Sequence, residues 1–154
     1  MRLFRIAKTP YIHDTTGTGA RLYGGRWNEK GVGLIYTSES RALAALEFLV
    51  HIPMAIVPDD LSIVQYDIPT SILPETLDLS SLPKNWRAYP PPEELALAGT
   101  HWIRSNASLL LQVPSAVVEH EFNVLINPAH PNFSAVEQST PAAFVFDRRL
   151  LEAI

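Results

Sequence analysis

Gly24-Gly25-Arg26-Trp27-Asn28, then Gly33-Leu34-Ile35-Tyr36-Thr37, then the run from Ala42 to Val50 with Glu47 inside it: the chain is organised around this stretch. The glycine pair reads as a tight turn where backbone can come close to a ligand, and it presents Arg26. Gly33 to Thr37 is apolar enough to be a central strand, and it carries Tyr36. Ser38-Glu39-Ser40 starts a helix, with Ser38 as N-cap and Glu39 at the positive end of the helix dipole. Ala42, Ala45, Leu46 and Leu49 make an apolar stripe that Leu43 and Val50 widen, so the helix is expected to be covered on most sides. Pro53 stops it. An arginine, an aromatic ring and a desolvated carboxylate in so short a span suit a ligand that bears phosphate, a ring and a sugar.

Outward from this stretch, strands outnumber helices. Leu3 to Ala7 reads as a first strand with Arg5 on one face. Lys8 to Tyr23 reads as a loop, marked by Pro10, Gly17 and Gly19. Leu61–Ile68, Ser108–Val113, Phe122–Ile126 and Phe144–Phe146 read as further strands. Pro91-Pro92-Glu93-Glu94 opens a second helix whose buried face is Leu95, Ala98, Trp102 and Ile103. The proline-rich segment from Pro69 to Pro92 reads as a wrapped surface connection pinned by Ile72, Leu77, Leu82 and Trp86. A final helical turn is expected over Arg148–Ile154. Two helices set apart by strand and loop predict an α+β fold with a mixed or antiparallel sheet.

The 154 residues fit one domain, residues 1–154. Hydrophobic content of 47% against 18% charged is that of a chain with a core rather than a disordered one. With no cysteine, disulfides, thiol nucleophiles and cysteine-ligated metals are excluded. No segment reads as a secretory signal or a membrane span. A net charge of -4 disfavours a nucleic-acid surface. The five histidines, His13, His51, His101, His120 and His130, lack metal-ligand spacing, so no metal site is expected.

Glu47 is the sharpest candidate, since a carboxylate among apolar neighbours either pairs with an arginine or faces a cleft. Pairing with Arg26, Arg5 or Arg41 is the bland reading. The functional one is stabilisation of an oxocarbenium ion as a glycosidic bond breaks. Arg26 offers a guanidinium fork to phosphate, and Arg5 a second contact. Tyr36 can stack on a heterocycle. Ser115 can donate a hydrogen bond, but no histidine relay accompanies it. Asn123 sits inside a strand, where asparagine is depleted, and is read as tying backbone groups beneath the site.

Taken together, Phe4-Arg5-Ile6, Gly24–Asn28, Tyr36-Thr37, Ala44-Ala45-Leu46-Glu47, Gly99-Thr100-His101-Trp102, Val113–Val118, Glu121–Pro131 and Phe146–Leu150 resemble the RES domain, the toxin half of a bacterial toxin–antitoxin pair. The likeness runs from about residue 3 to residue 151, and its specificity lies in the order and spacing of the pieces. It implies an ADP-ribosyltransferase-like fold, a split sheet holding NAD in a cleft. It implies destruction of NAD at the nicotinamide side, by hydrolysis or phosphorolysis, with growth inhibited. NAD is then substrate, and no cofactor is expected. The family's arginine, glutamate and serine look like Arg26, Glu47 and Ser115. By the same resemblance Arg26, Glu47 and Tyr36 are catalytic, while Arg5, Arg26, Tyr36, Ser115 and Asn123 hold NAD. An Xre-like antitoxin is the implied partner, with a homodimer inside the complex, a cytoplasmic location and no direct contact with nucleic acid. Transfer of ADP-ribose to a protein, a non-catalytic binding module and an RNA-directed activity are the competing readings.

Overall fold

The computed structural model describes residues 1–53 and 57–151. Eight strands form one sheet: β1 (Arg2–Lys8), β2 (Ile35–Ser38), β3 (Leu61–Asp67), β4 (Glu75–Thr76), β5 (Leu110–Pro114), β6 (Phe122–Ile126), β7 (Glu137–Gln138) and β8 (Ala142–Phe144). Their order is β4-β5-β6-β2-β1-β3-β7, with β8 also on β3. All pairings are antiparallel except β4 with β5, so the fold is mixed α and β, as expected.

The sheet is nearly two sheets. β1 pairs with β3 over its whole length, from Arg2–Asp67 to Lys8–Leu61, yet with β2 it shares the single register pair Phe4–Ser38. That thin seam separates a β1-β3 half from a β2-β6-β5 half.

Strands alternate their side chains, and here both faces are covered. On one face Leu3, Ile35, Val64, Tyr66, Leu110, Val124 and Ile126 pack with Ile12 and Ile68 across both halves. On the other face the two halves are covered separately. Helix α2 (Arg41–Leu49) brings Ala44, with Phe48 and Leu49, onto Ile6, Leu61 and Ile63. Helix α3 (Glu93–Ser105) brings Leu95 and Trp102 onto Leu111, Val113 and Leu125. α3 follows Pro92, carries Glu93 and Glu94 in its first turn and Arg104 in its last, and ends at Asn106 in the left-handed region, all favourable to a helix there.

Several expectations are corrected. Lys8–Tyr23 is not all loop: Thr9–Tyr11 is a 3-10 turn and Thr18–Tyr23 is a helix, α1. Ser38 does not cap α2. The hydroxyl of Ser40 accepts from the Leu43 amide and makes the cap, while Ser38 stays in β2. The buried face of α2 is Leu43 and Ala44, and Leu46 and Val50 are exposed, so the apolar stripe is turned from the one expected. The last strand is Ala142–Phe144 rather than Phe144–Phe146, though Phe146 is still buried against Phe144 and Phe48. The closing turn spans Arg148–Leu150, and residues 152–154 of the expected turn lie outside the described residues.

Candidate functional site

The Gly24–Asn28 turn is locked from three sides. Gly24 has φ +71°, which a side chain would strain. Gly25 and Asn28 exchange backbone hydrogen bonds of 3.0 and 3.4 Å. The Asn28 amide, fully buried, reaches the carbonyls of Ala20 and Val32 at 2.8 and 2.9 Å. From β2, the Tyr36 hydroxyl donates to Asn28 Oδ1 at 2.7 Å and accepts from the Trp27 amide at 3.0 Å. From α3, Thr100 accepts from the Glu29 amide at 3.0 Å, and Gly99 lets the helix come so close that a Cβ there would overlap the Trp27 carbonyl oxygen. Two buried tertiary contacts thus fix where Arg26 starts.

The Arg26 guanidinium, half-buried, donates through Nη1 to the Trp86 carbonyl at 2.5 Å and through Nη2 to the Ala88 carbonyl at 3.2 Å. The Pro69–Pro92 connection is therefore a wall of the site as well as a surface wrap. Burial pulls the pKa of Arg26 down, while the Glu47 carboxylate opposes that shift.

Glu47 projects from α2 toward the β5-β6 half. Its Oε1 accepts from Ser115 Oγ at 2.7 Å and from Asn123 Nδ2 at 2.5 Å. Oε2 takes no hydrogen bond among the described residues. Ser115 is itself buried, and its hydroxyl oxygen accepts from the amides of Val117 and Val118. Asn123 Oδ1 accepts from Ser38 Oγ at 2.7 Å, across the β2-β6 pair. One carboxylate oxygen is thus gripped and the other presented. The bland expectation for Glu47, a closed ion pair with arginine, is not met among the described residues.

Each sequence-chosen residue now has a place. Arg26 and Glu47 share one electrostatic environment. Ser115 and Asn123 both orient Glu47; Asn123 ties two side chains together, where backbone groups had been expected. Tyr36 holds the Arg26 turn with its hydroxyl, and its ring packs against the core cluster that contains Trp27 and Leu125. Burial pushes its phenol far above the ordinary range. Arg5 lies on the other face of β1 from Phe4 and Ile6. It donates to the Asp14 carbonyl at 2.8 Å and meets Tyr36 only at the seam, in a cavity of about 80 Å³ that Gly17 and Ala20 also line. A larger cavity of about 520 Å³ lies between α3 and β4 and includes none of these residues.

Sequence reasoning gave no functional role to Asn28, Ser38, Gly99, Trp86 or Ala88. Trp86 and Ala88 act through backbone carbonyls, which carry no residue signature. Gly99 acts through a missing Cβ whose need arises only where α3 meets the turn.

A family model for the RES domain matches residues 2–147. The chain belongs to the RES domain family. Among curated relatives, "Toxin Res" of Yersinia enterocolitica is 42% identical to it, over 97% of this chain and 99% of that one. "Prs ADP-ribosylating toxin" of Sphingobium sp. (strain YBL2) is 36% identical over 97% of this chain and 94% of its own length. A chain in the crystal structure of the M. tuberculosis MbcT–MbcA toxin–antitoxin complex superposes with a TM-score of 0.70. It has 15% identity, over 97% of this RES domain and 86% of that chain, a likeness of fold. No helix among the described residues is long and apolar enough to cross a membrane.

Proposed function

We propose that this RES domain is the toxin of a toxin–antitoxin pair and that it consumes NAD by breaking the nicotinamide–ribose bond. The observation that carries the reading is the Arg26–Glu47 arrangement. A guanidinium and a carboxylate share one electrostatic field with no ion pair between them among the described residues, and one carboxylate oxygen is left open. Arg26 suits the pyrophosphate, because its fork matches phosphate oxygens and two carbonyls already orient it. Glu47 suits the ribose. As the C1′–N bond lengthens, its electron pair goes to nicotinamide, and positive charge grows at C1′ and the ring oxygen. A fixed carboxylate lowers the energy of that cation. Water or phosphate then forms the new bond to C1′ through oxygen, and the proton that the attacking oxygen sheds passes to solvent. Tyr36, Arg5, Ser115 and Asn123 complete the site, the last two by holding Glu47 rather than by touching the reacting carbon. An Xre-family antitoxin, a homodimer within the complex and a cytoplasmic setting go with this reading.

A second reading is transfer of ADP-ribose onto a protein, favoured by the name of the Sphingobium relative. The chemistry at C1′ is shared and the acceptor differs. NAD incubated with the purified chain, with and without phosphate and with cell lysate, separates the two. Free ADP-ribose or its 1″-phosphate supports consumption, and a labelled protein supports transfer. NAD left intact in every arm overturns both.

A further inference from the structure

Arg87 stands between the two halves of the site without touching either functional side chain. It follows Trp86 and precedes Ala88, the two residues whose carbonyls hold Arg26. Its own guanidinium turns the other way. Nη1 donates to Glu119 Oε1 at 2.5 Å, and Nε and Nη2 reach the Ala116 carbonyl at 3.4 and 3.3 Å. Its Cζ lies 5.9 Å from the centre of the Trp86 ring. Ala116 and Glu119 belong to the loop that Ser115 organises through the Val117 and Val118 amides, and Ser115 in turn binds Glu47. A bonded path therefore runs from Arg26 through the Trp86–Ala88 strap and Arg87 to the Ala116–Glu119 loop, then through Ser115 to Glu47. Among the described residues no direct ion pair joins its two ends.

We propose that Arg87 is a positioning residue that sets the distance between Arg26 and Glu47 by clasping the strap to the Ser115 loop, an inference that rests on the NAD-consuming reading. The clasp is exposed, so it holds geometry rather than stability, as exposed ion pairs contribute little to folding. The two ends respond unequally. Glu47 keeps Ser115 and Asn123 whether or not the clasp is made, whereas Arg26 moves with the strap. Loss of Arg87 therefore weakens the grip on the dinucleotide more than the chemistry at the ribose.

The test is steady-state NAD consumption by Arg87→Ala, Arg87→Lys and Glu119→Gln. KM rises roughly five-fold in Arg87→Ala while kcat stays within about three-fold, with smaller KM rises in the other two. A purely structural arginine would lower the folded fraction, and with it kcat, at unchanged KM, and that result overturns the proposal. Amide exchange at Trp86 and Ala88, whose amides donate to the Pro83 and Asn85 carbonyls within the strap, is followed without NAD and keeps the two readings apart. If the parent protein consumes no NAD, the functional reading falls. The clasp is then judged by exchange alone: faster exchange in Arg87→Ala than in the parent supports it, and unchanged exchange overturns it.

Discussion

Arg26 and Glu47 lie close enough for the carboxylate to raise the guanidinium's proton affinity, yet no nitrogen–oxygen contact within 4.0 Å joins them among the described residues. Opposite charges that feel each other are free to close into a pair unless something holds them. Here each is held back by its own partners: Arg26 by the Trp86 and Ala88 carbonyls, Glu47 by Ser115 and Asn123. Hydrogen bonds to other parts of the fold thus keep the two charges apart, and the proposed reading places the dinucleotide between them.

Because the two charges do not close on each other, removing either one does not strand the other. Glu47→Gln keeps the size and one acceptor oxygen, so its melting temperature stays within a few degrees of the parent, while NAD consumption falls by about 100-fold or more. Arg26→Lys loses the fork to two carbonyls and acts mainly on KM. Kinetics beside thermal melts decide this. A Glu47→Gln variant that melts normally and retains about a tenth of the parental activity would remove Glu47 from the chemistry.

Two glycines on helices give opposite forecasts. In Gly99→Ala the new methyl runs into the Trp27 carbonyl, so α3 must back away from the Arg26 turn, at a cost of about 1–3 kcal/mol or more. In Gly19→Ala the methyl meets nothing within 4 Å, and loss of chain freedom in the unfolded state stabilises by about 0.4–1 kcal/mol. Urea midpoints for the pair give the comparison. Equal midpoints would mean that α3 does not seat the turn as described.

The contrast between helices also shows what the chain states locally. α3 was legible because Pro92, Glu93 and Glu94 mark its start, and Leu95 and Trp102 repeat at helical spacing. α1 was not, because Thr18–Tyr23 buries no residue fully, follows Gly17 at φ +68° and depends on the Asp14 carboxylate four residues before it. α2 was legible as a helix but not in its orientation. Apolar residues on every side leave no period to read, and the face set against the sheet, Ala44 with Ala45, Phe48 and Leu49, is chosen by the β1-β3 half it meets. Glu47 and Asn123 stood out because their residue types were unexpected where they stood, Arg26 because its fork follows a glycine pair, and Ser115 through the family resemblance. The carbonyls of Trp86 and Ala88 are chemically like any others, and only tertiary folding gives them a role.

Ser115 tests the idea that Glu47 is oriented rather than merely present. Its buried hydroxyl serves two amides and one carboxylate oxygen. Ser115→Ala leaves those amides without their partner, costing about 1–3 kcal/mol in a denaturation midpoint. It also frees Glu47 to rotate about the single tie to Asn123, so kcat falls while KM changes little. An alanine variant with parental kcat would mean that Asn123 alone fixes the carboxylate.

Asp14 gives a forecast in pH. Burial by itself would raise its carboxyl. The Thr16 hydroxyl and amide, the Thr18 amide and the charge of Arg5 outweigh that and hold its pKa below the ordinary value. A folded-state pKa that is depressed adds stability above the unfolded value, about 3.9, and loses it as pH falls through the folded one. The melting temperature of the parent should therefore exceed that of Asp14→Asn most clearly near neutral pH, and the difference should shrink as pH drops below about 4. The Asp14 carbonyl receives the Arg5 guanidinium, so an ordered loop at this point also keeps Arg5 at the seam beside Tyr36. A difference in melting temperature that stays constant from about pH 7 to about pH 3 would show that the carboxylate's charge plays no part in holding the Thr16 and Thr18 amides at the start of α1.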